Sequence, residues 1–230
     1  MSTVSLDRDG DIATICIDRP RAMNALDRET LLALRGHIDS LAREPARVVR
    51  VTSAGERVFV AGADIASMSE MTVEEARTFS RLGHETFDAL EALPSLQVAV
   101  VQGAALGGGL ELVLACDLVL ASEKARFGQP ETNLGLFPGF GGCARLLRRV
   151  GVGRARELIY SGRLVDTAEA LQLGLVQRSC APEDLQSQAH GWAEELAARP
   201  PLALLRDGCH SASDCRAACA LAAGGAALER

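Results

Sequence analysis

Apolar residues along the first two thirds of this chain switch repeatedly between a period of two and a period near 3.6. A chain patterned that way can bury its apolar faces in few architectures. The stretch ATICID (13–18) alternates like a half-buried strand. The next stretch, 27–44, places Leu31, Leu34, Ile38 and Leu41 on one helical stripe, behind Asp27 as N-cap and Glu29 in the first turn. VVRVTS (48–53) reads as a strand, and 72–93 as a long amphipathic helix opened by Thr72 and Glu75 in capping-box spacing. LQVAVV (96–101) and DLVLAS (117–122) are strands, the first apolar on both faces. Such strands need cover on both sides, so the pattern implies βαβ units, a largely parallel sheet and an α/β fold.

After Gly139 the chain becomes short helical segments broken by Gly and Pro, covering 143–151, 153–162, 167–176 and 182–200, with a strand remnant expected at Leu175–Val176. The expected organisation is an α/β core over 1–165 and a helical tail over 166–230, ending in an Ala/Leu helix at 216–230.

Composition narrows the function classes. With 48% hydrophobic and 23% charged residues the chain is globular, and 3% aromatics leave the core to aliphatic packing. A net charge of -6 counts against nucleic-acid binding. No apolar run is long enough for a bilayer span, so no membrane association is expected. The acidic start MSTVSLDRDGDI has no apolar stretch of a secretory signal. Seven cysteines without a CxxC pair suit a reducing compartment, and the cytoplasm is the expected location. Cys215 and Cys219 stand one helical turn apart with only His210 nearby, and no metal site is expected.

The stretch QGAALGGGLELVLACDLVLAS (102–122) is apolar apart from a glycine run and Glu111. Strand, Gly-rich turn and apolar helix in sequence expose backbone amides at a helix N-terminus, where an oxyanion or phosphate is favoured. Phosphate is the weaker option, because neither GxxxxGK[ST] nor GxGxxG is present. Close helix-on-sheet packing is the structural alternative. Glu111 is either stabilised by that helix N-terminus or held in a cleft with a raised pKa, as a general acid or base requires.

A second glutamate sits in a similar setting. ARFGQPETNLGLFPGFGG (125–142) places Phe127, Leu134, Leu136 and Phe137 around Glu131. Two such carboxylates can divide proton acceptance and donation. A third stretch, GERVFVAGADIASM (55–68), sets Ala61, Gly62 and Ala63 before Asp64, either another turn of accessible amides or a plain N-cap.

These segments resemble one known family. RPRAMNAL (19–26), FVAGADI (59–65), GAALGGGLELVLACDLVLASE (103–123), FGQPETNLGLFPGFGG (127–142) and SGRLVDTAEALQLGLV (161–176) are similar, in order and spacing, to the enoyl-CoA hydratase/isomerase (crotonase) superfamily. The resemblance implies a spiral of stacked ββα units with a C-terminal helical tail that assembles trimers or hexamers. It implies an oxyanion hole from the Ala63 and Gly108 amides and catalytic roles for Glu111 and Glu131. Arg21, Ala22, Asn24, Ala61, Gly62, Asp64, Ile65 and Gly139 would line the substrate and coenzyme A channel.

Presence of both glutamates favours a hydratase adding water reversibly and syn across the α,β double bond of an acyl-CoA or acyl-carrier-protein thioester. No cofactor beyond coenzyme A in the substrate is implied. A double-bond isomerase and a non-catalytic or RNA-associated relative are the alternatives. A triad hydrolase is disfavoured, since no GxSxG is present.

Overall fold

The strands that are apolar on both faces are covered on both faces, and that requirement organises the fold. The computed structural model describes residues 3–200. The expectations for His210, Cys215, Cys219 and the Ala/Leu helix lie outside the described residues.

An antiparallel hairpin, β1 (Val4–Asp9) and β2 (Ile12–Ile17), leads into α1 (Arg28–Arg43). Then follow β3 (Val48–Ser53), β4 (Val58–Val60), the short α2 (Ile65–Met68) and α3 (Val73–Glu91). A second unit comprises β5 (Leu96–Val101), β6 (Ala104–Leu106) and α4 (Gly108–Leu114). A third comprises β7 (Leu118–Ser122), β8 (Arg126–Gly128), a 3-10 turn (Pro130–Leu134), α5 (Gly142–Val150) and α6 (Val152–Ser161). The described chain closes with β9 (Leu164–Asp166), α7 (Thr167–Gln172), β10 (Arg178–Cys180) and α8 (Leu185–Ala197).

Within each unit the first strand joins one sheet, the second crosses to another, and a helix returns the chain. The large sheet has the order β1-β2-β3-β5-β7-β10, parallel from β2 onward. The small sheet has the order β4-β6-β8-β9, parallel except for β8 with β9. This is the expected spiral of ββα units.

Local signals account for the long elements. Asp27 caps α1 by accepting from Thr30 N at 2.8 Å, and Thr72 with Glu75 forms the capping box of α3. The α1 stripe of Leu31, Leu34, Ile38 and Leu41 is fully buried, each leucine contributing about 1.5–3 kcal/mol. On β5, Ala99 and Val101 face the main core, while Val98 and Val100 pack under Leu185, Ala189 and Trp192 of α8.

One element moves. Leu175 and Val176, expected as strand, are buried in the turn after α7, where both N–H groups donate to Ala170 O. The strand is Arg178–Cys180, parallel to β7, so the stretch after 165 adds an edge strand to the large sheet besides its helices. No helix among the described residues is long and apolar enough to cross a membrane.

Candidate active site

The small sheet delivers two strand ends to neighbouring helix starts, and the site is built at these junctions. β4 runs into Ala61, Gly62 and Ala63 before α2, and β6 runs into Gly107 before α4. Gly62 (φ 119°) and Gly107 (φ 51°) take conformations that L side chains rarely adopt. The two turns also meet at backbone level. A Cβ on Gly62 would lie 3.2 Å from Leu106 O, and one on Gly108 would lie 3.3 Å from Ala63 N. A Cβ on Gly109 would run into the Val60 carbonyl. The Ala63 and Gly108 N–H groups are therefore brought side by side, and neither meets a protein acceptor among the described residues. Two adjacent free amides form an electrophilic pair suited to a developing oxyanion.

Glu111 lies in the first turn of α4 with 1% of its surface exposed. Its Oε1 accepts from Phe140 N at 2.8 Å and from Gly142 N at 2.6 Å. Burial pushes its carboxyl up to about 7, outweighing those two donors and the Arg145 charge. Of the two alternatives open from sequence, burial at 1% exposure favours the cleft with a raised pKa.

Glu131 stands on the 3-10 turn after β8, over the Gly107 turn, where a Cβ on Gly107 would come 3.0 Å from its Oε1. With its amide nitrogen facing the carboxylate, buried Gln129 donates to Oε1 at 2.8 Å and to Oε2 at 3.0 Å. Burial pushes the Glu131 carboxyl up as well.

Both carboxylates and both amides border one cavity of about 160 Å³. The rest of its lining is largely apolar and includes Met68, Ala76, Phe79, Phe137 and Phe140. Of the other residues singled out in the sequence, Ala61, Gly62, Ile65 and Gly139 line this cavity. Asp64 instead caps α2 through Ser67 N at 3.3 Å and pairs with Arg19 at 3.4 Å. Asn24 is buried away from the cavity, accepting from Arg19 N at 2.9 Å and donating to Ala54 O and Val58 O. Arg21 and Ala22 sit on the 3-10 turn Pro20–Ala22, next to the Met23 carbonyl that accepts from Ala61 N at 3.2 Å.

Sequence reasoning missed Gln129 and the Phe140 and Gly142 amides. The available signal was a glutamine two residues before Glu131 in a loop too apolar to be solvent-facing.

Comparisons with known proteins agree with this architecture. The family model described as enoyl-CoA hydratase/isomerase matches residues 7–218. A short-chain-enoyl-CoA hydratase of Clostridium acetobutylicum is 42% identical over 205 residues, covering 89% of this chain and 78% of that protein. A crotonyl-CoA hydratase of Syntrophomonas wolfei is 40% identical over 202 residues, covering 87% and 78%. The crystal structure of an enoyl-CoA hydratase from Bacillus anthracis superposes with a TM-score of 0.85 at 39% identity, covering 88% of this chain and 79% of that one. A family-model match over most of the chain, together with relatives of 40% identity and above, shows that the chain belongs to the enoyl-CoA hydratase/isomerase family. Within it the chain is a hydratase-like member, an enzyme of the hydro-lyase type.

Proposed function

We propose that this enoyl-CoA hydratase adds water reversibly and syn across the α,β double bond of a short acyl-CoA thioester, using Glu111 and Glu131 together. One observation carries the assignment of residues: two unpartnered amides and two carboxyls with raised pKa border the same small, largely apolar cavity.

The thioester oxygen accepts from Ala63 and Gly108 N–H. Glu111, ionised, takes a proton from water as the water oxygen bonds to Cβ. The double-bond electrons move toward the carbonyl and give an enolate, whose charge the two amides stabilise. One such donor in a water-excluded site is worth about 3–4 kcal/mol of barrier. Glu131, protonated, gives its proton to Cα. The two residues exchange protonation states during the addition, and dehydration runs the same steps backward.

The relatives named as short-chain and crotonyl-CoA hydratases support a short acyl group, as does the small volume, about 160 Å³, of the cavity that Phe79, Phe137 and Phe140 help to line. Coenzyme A enters only as part of the substrate in this scheme. Family likeness supports a homotrimer or hexamer. Loss of enoyl-thioester absorbance on mixing the chain with crotonyl-CoA tests the reading directly. No loss at micromolar enzyme would overturn it.

A further inference from the structure

We propose that Arg145 is a positioning residue of this site: its buried guanidinium holds the Phe140 peptide so that the Phe140 and Gly142 N–H groups both point at Glu111. The inference rests on the two-carboxylate reading above and extends it to a residue outside the cavity lining.

The geometry of residues 140–142 sets the problem. Two amides two residues apart donate to one oxygen, Glu111 Oε1, at 2.8 and 2.6 Å. That requires a concave turn of backbone N–H groups, and the intervening Gly141 takes φ 101° to make it. The peptide between these two donors is the one that joins Phe140 to Gly141, and its carbonyl, Phe140 O, faces the buried Arg145 guanidinium. Left alone there, that carbonyl is a buried acceptor without a partner, which costs about 1–3 kcal/mol.

Arg145 answers it. Its Nη1 donates to Phe140 O at 2.8 Å, and the side chain is 3% exposed. The other edges of the guanidinium are tied to α3, with Nε on Glu91 Oε2 at 2.8 Å and Nη2 on Asp88 Oδ1. The turn lies directly on the guanidinium, since a Cβ on Gly141 would collide with Nη1. The Phe140 ring is fixed by the same helix, edge-on to Phe79 and Phe87 and filling the space that Gly83 leaves. The planar fork of arginine suits a site that needs three acceptors held at fixed angles.

Other charged or titratable groups face this region. Glu131 comes from the 3-10 turn, the Cys143 thiol from α5, and His84, Asp88 and Glu91 from α3. Arg148 of α5 pairs with the same Glu91, at 3.1 Å, and among the described residues Arg145 is the positive charge that counters the effect of burial on Glu111.

The test titrates Glu111 by its carboxyl infrared band, assigned by subtraction of Glu111→Gln, in the wild type, Arg145→Met and Arg145→Lys. Hydration kcat and KM for crotonyl-CoA are measured alongside. In Arg145→Met the Glu111 midpoint should rise by about one pH unit, as expected when an opposing charge and well-aimed donors are lost. In Arg145→Lys the charge remains and the midpoint should stay close to wild type. Its kcat should nevertheless fall about tenfold at unchanged KM, because one ammonium cannot serve all three acceptors.

An unmoved midpoint in Arg145→Met, with only a lower Tm, would overturn the proposal and leave Arg145 a purely structural ion-pair partner. If Arg145→Met does not fold, Arg145→Lys decides: wild-type kcat in that variant overturns the proposal. Absence of hydration by the wild type would sink the hydratase reading instead, while the infrared titration would still judge Arg145.

Discussion

The two walls of the cavity are built by different means. The wall at the ends of β4 and β6 is backbone: Gly62, Ala63, Gly107 and Gly108 present amides and no reactive side chain. Neighbouring main chain, with Leu106 O and Val60 O against the glycines, holds it in place. The other wall, from Pro130 to Phe140, meets Glu111 and carries Glu131, and it is fixed by Gln129, the Phe140 ring and Arg145. Charge that develops on a thioester oxygen is best met by dipoles that cannot reorganise, and backbone locked by backbone supplies them. A proton that moves needs a group whose pKa the surroundings can shift. Side chains buried against an apolar loop supply that.

The largest expected contrast lies across this divide. Glu111→Gln keeps the acceptor oxygen for Phe140 and Gly142 but removes the titratable proton. Hydration kcat should fall about 10²–10⁴-fold with little change in KM. Steady-state kinetics with crotonyl-CoA checks this, and wild-type kcat would dissolve the distinction between the walls.

Next in size are two neighbouring glycines of the backbone wall. Gly109→Ala forces a Cβ into the Val60 carbonyl and should destabilise the fold by about 3 kcal/mol. Gly108→Ala has a Cβ position 3.1 Å from the Phe140 ring and 3.3 Å from Ala63 N, a tight fit against groups that can shift slightly. It should fold close to normally yet lose about 10²-fold in kcat through crowding of the amide pair. Unfolding curves and kcat measured together separate the two. Equal loss of stability in both variants would mean that the amides have no role apart from packing.

The smallest effect is thermodynamic. Burial raises the Glu111 carboxyl from 4.5 to about 7, so the folded chain keeps a proton that the unfolded chain has already released. That stabilisation is complete below pH 4.5 and is lost as pH rises through 7. Glu111→Gln should therefore be more stable than the wild type at pH 8, by about 1–3 kcal/mol, with the gain vanishing near pH 4.5. Urea unfolding at the two pH values reads it; a constant difference would place the effect in packing.

The same division decided what the sequence could reveal. α1, α3, β3 and β5 were legible because caps and periodicity are local, and Asp27, Thr72 and Glu75 act within their own first turns. The three-residue strands β4, β6, β8 and β9 were not, because so short a run carries no period and its partners are far along the chain. β1 escaped for another reason: as an edge strand it buries only Val4 completely. β10 was displaced onto Leu175 and Val176 because burial there comes from a turn, while the strand itself is the polar Arg178–Cys180.

In the site, Gly108 and Glu111 were legible because glycines and a carboxylate stand out in an apolar run. The Asn24 carboxamide bonds to Arg19, Ala54 and Val58, contacts that no local pattern reveals. Arg145 stayed hidden likewise, since only the folded chain brings it to the Phe140 carbonyl.

The division of labour between the two carboxylates is tested most directly at the substrate carbon. In deuterated water, exchange of the Cα proton can be followed by NMR alongside hydration of crotonyl-CoA, in the wild type, Glu111→Gln and Glu131→Gln. Glu131→Gln should lose hydration about 10²–10⁴-fold and lose Cα exchange at least as severely, because no other group is assigned to that carbon. Glu111→Gln should retain more exchange than Glu131→Gln while losing hydration. Near-normal hydration by Glu131→Gln, with Glu111→Gln inactive, would contradict the two-carboxylate scheme and leave Glu111 as the single acid–base group.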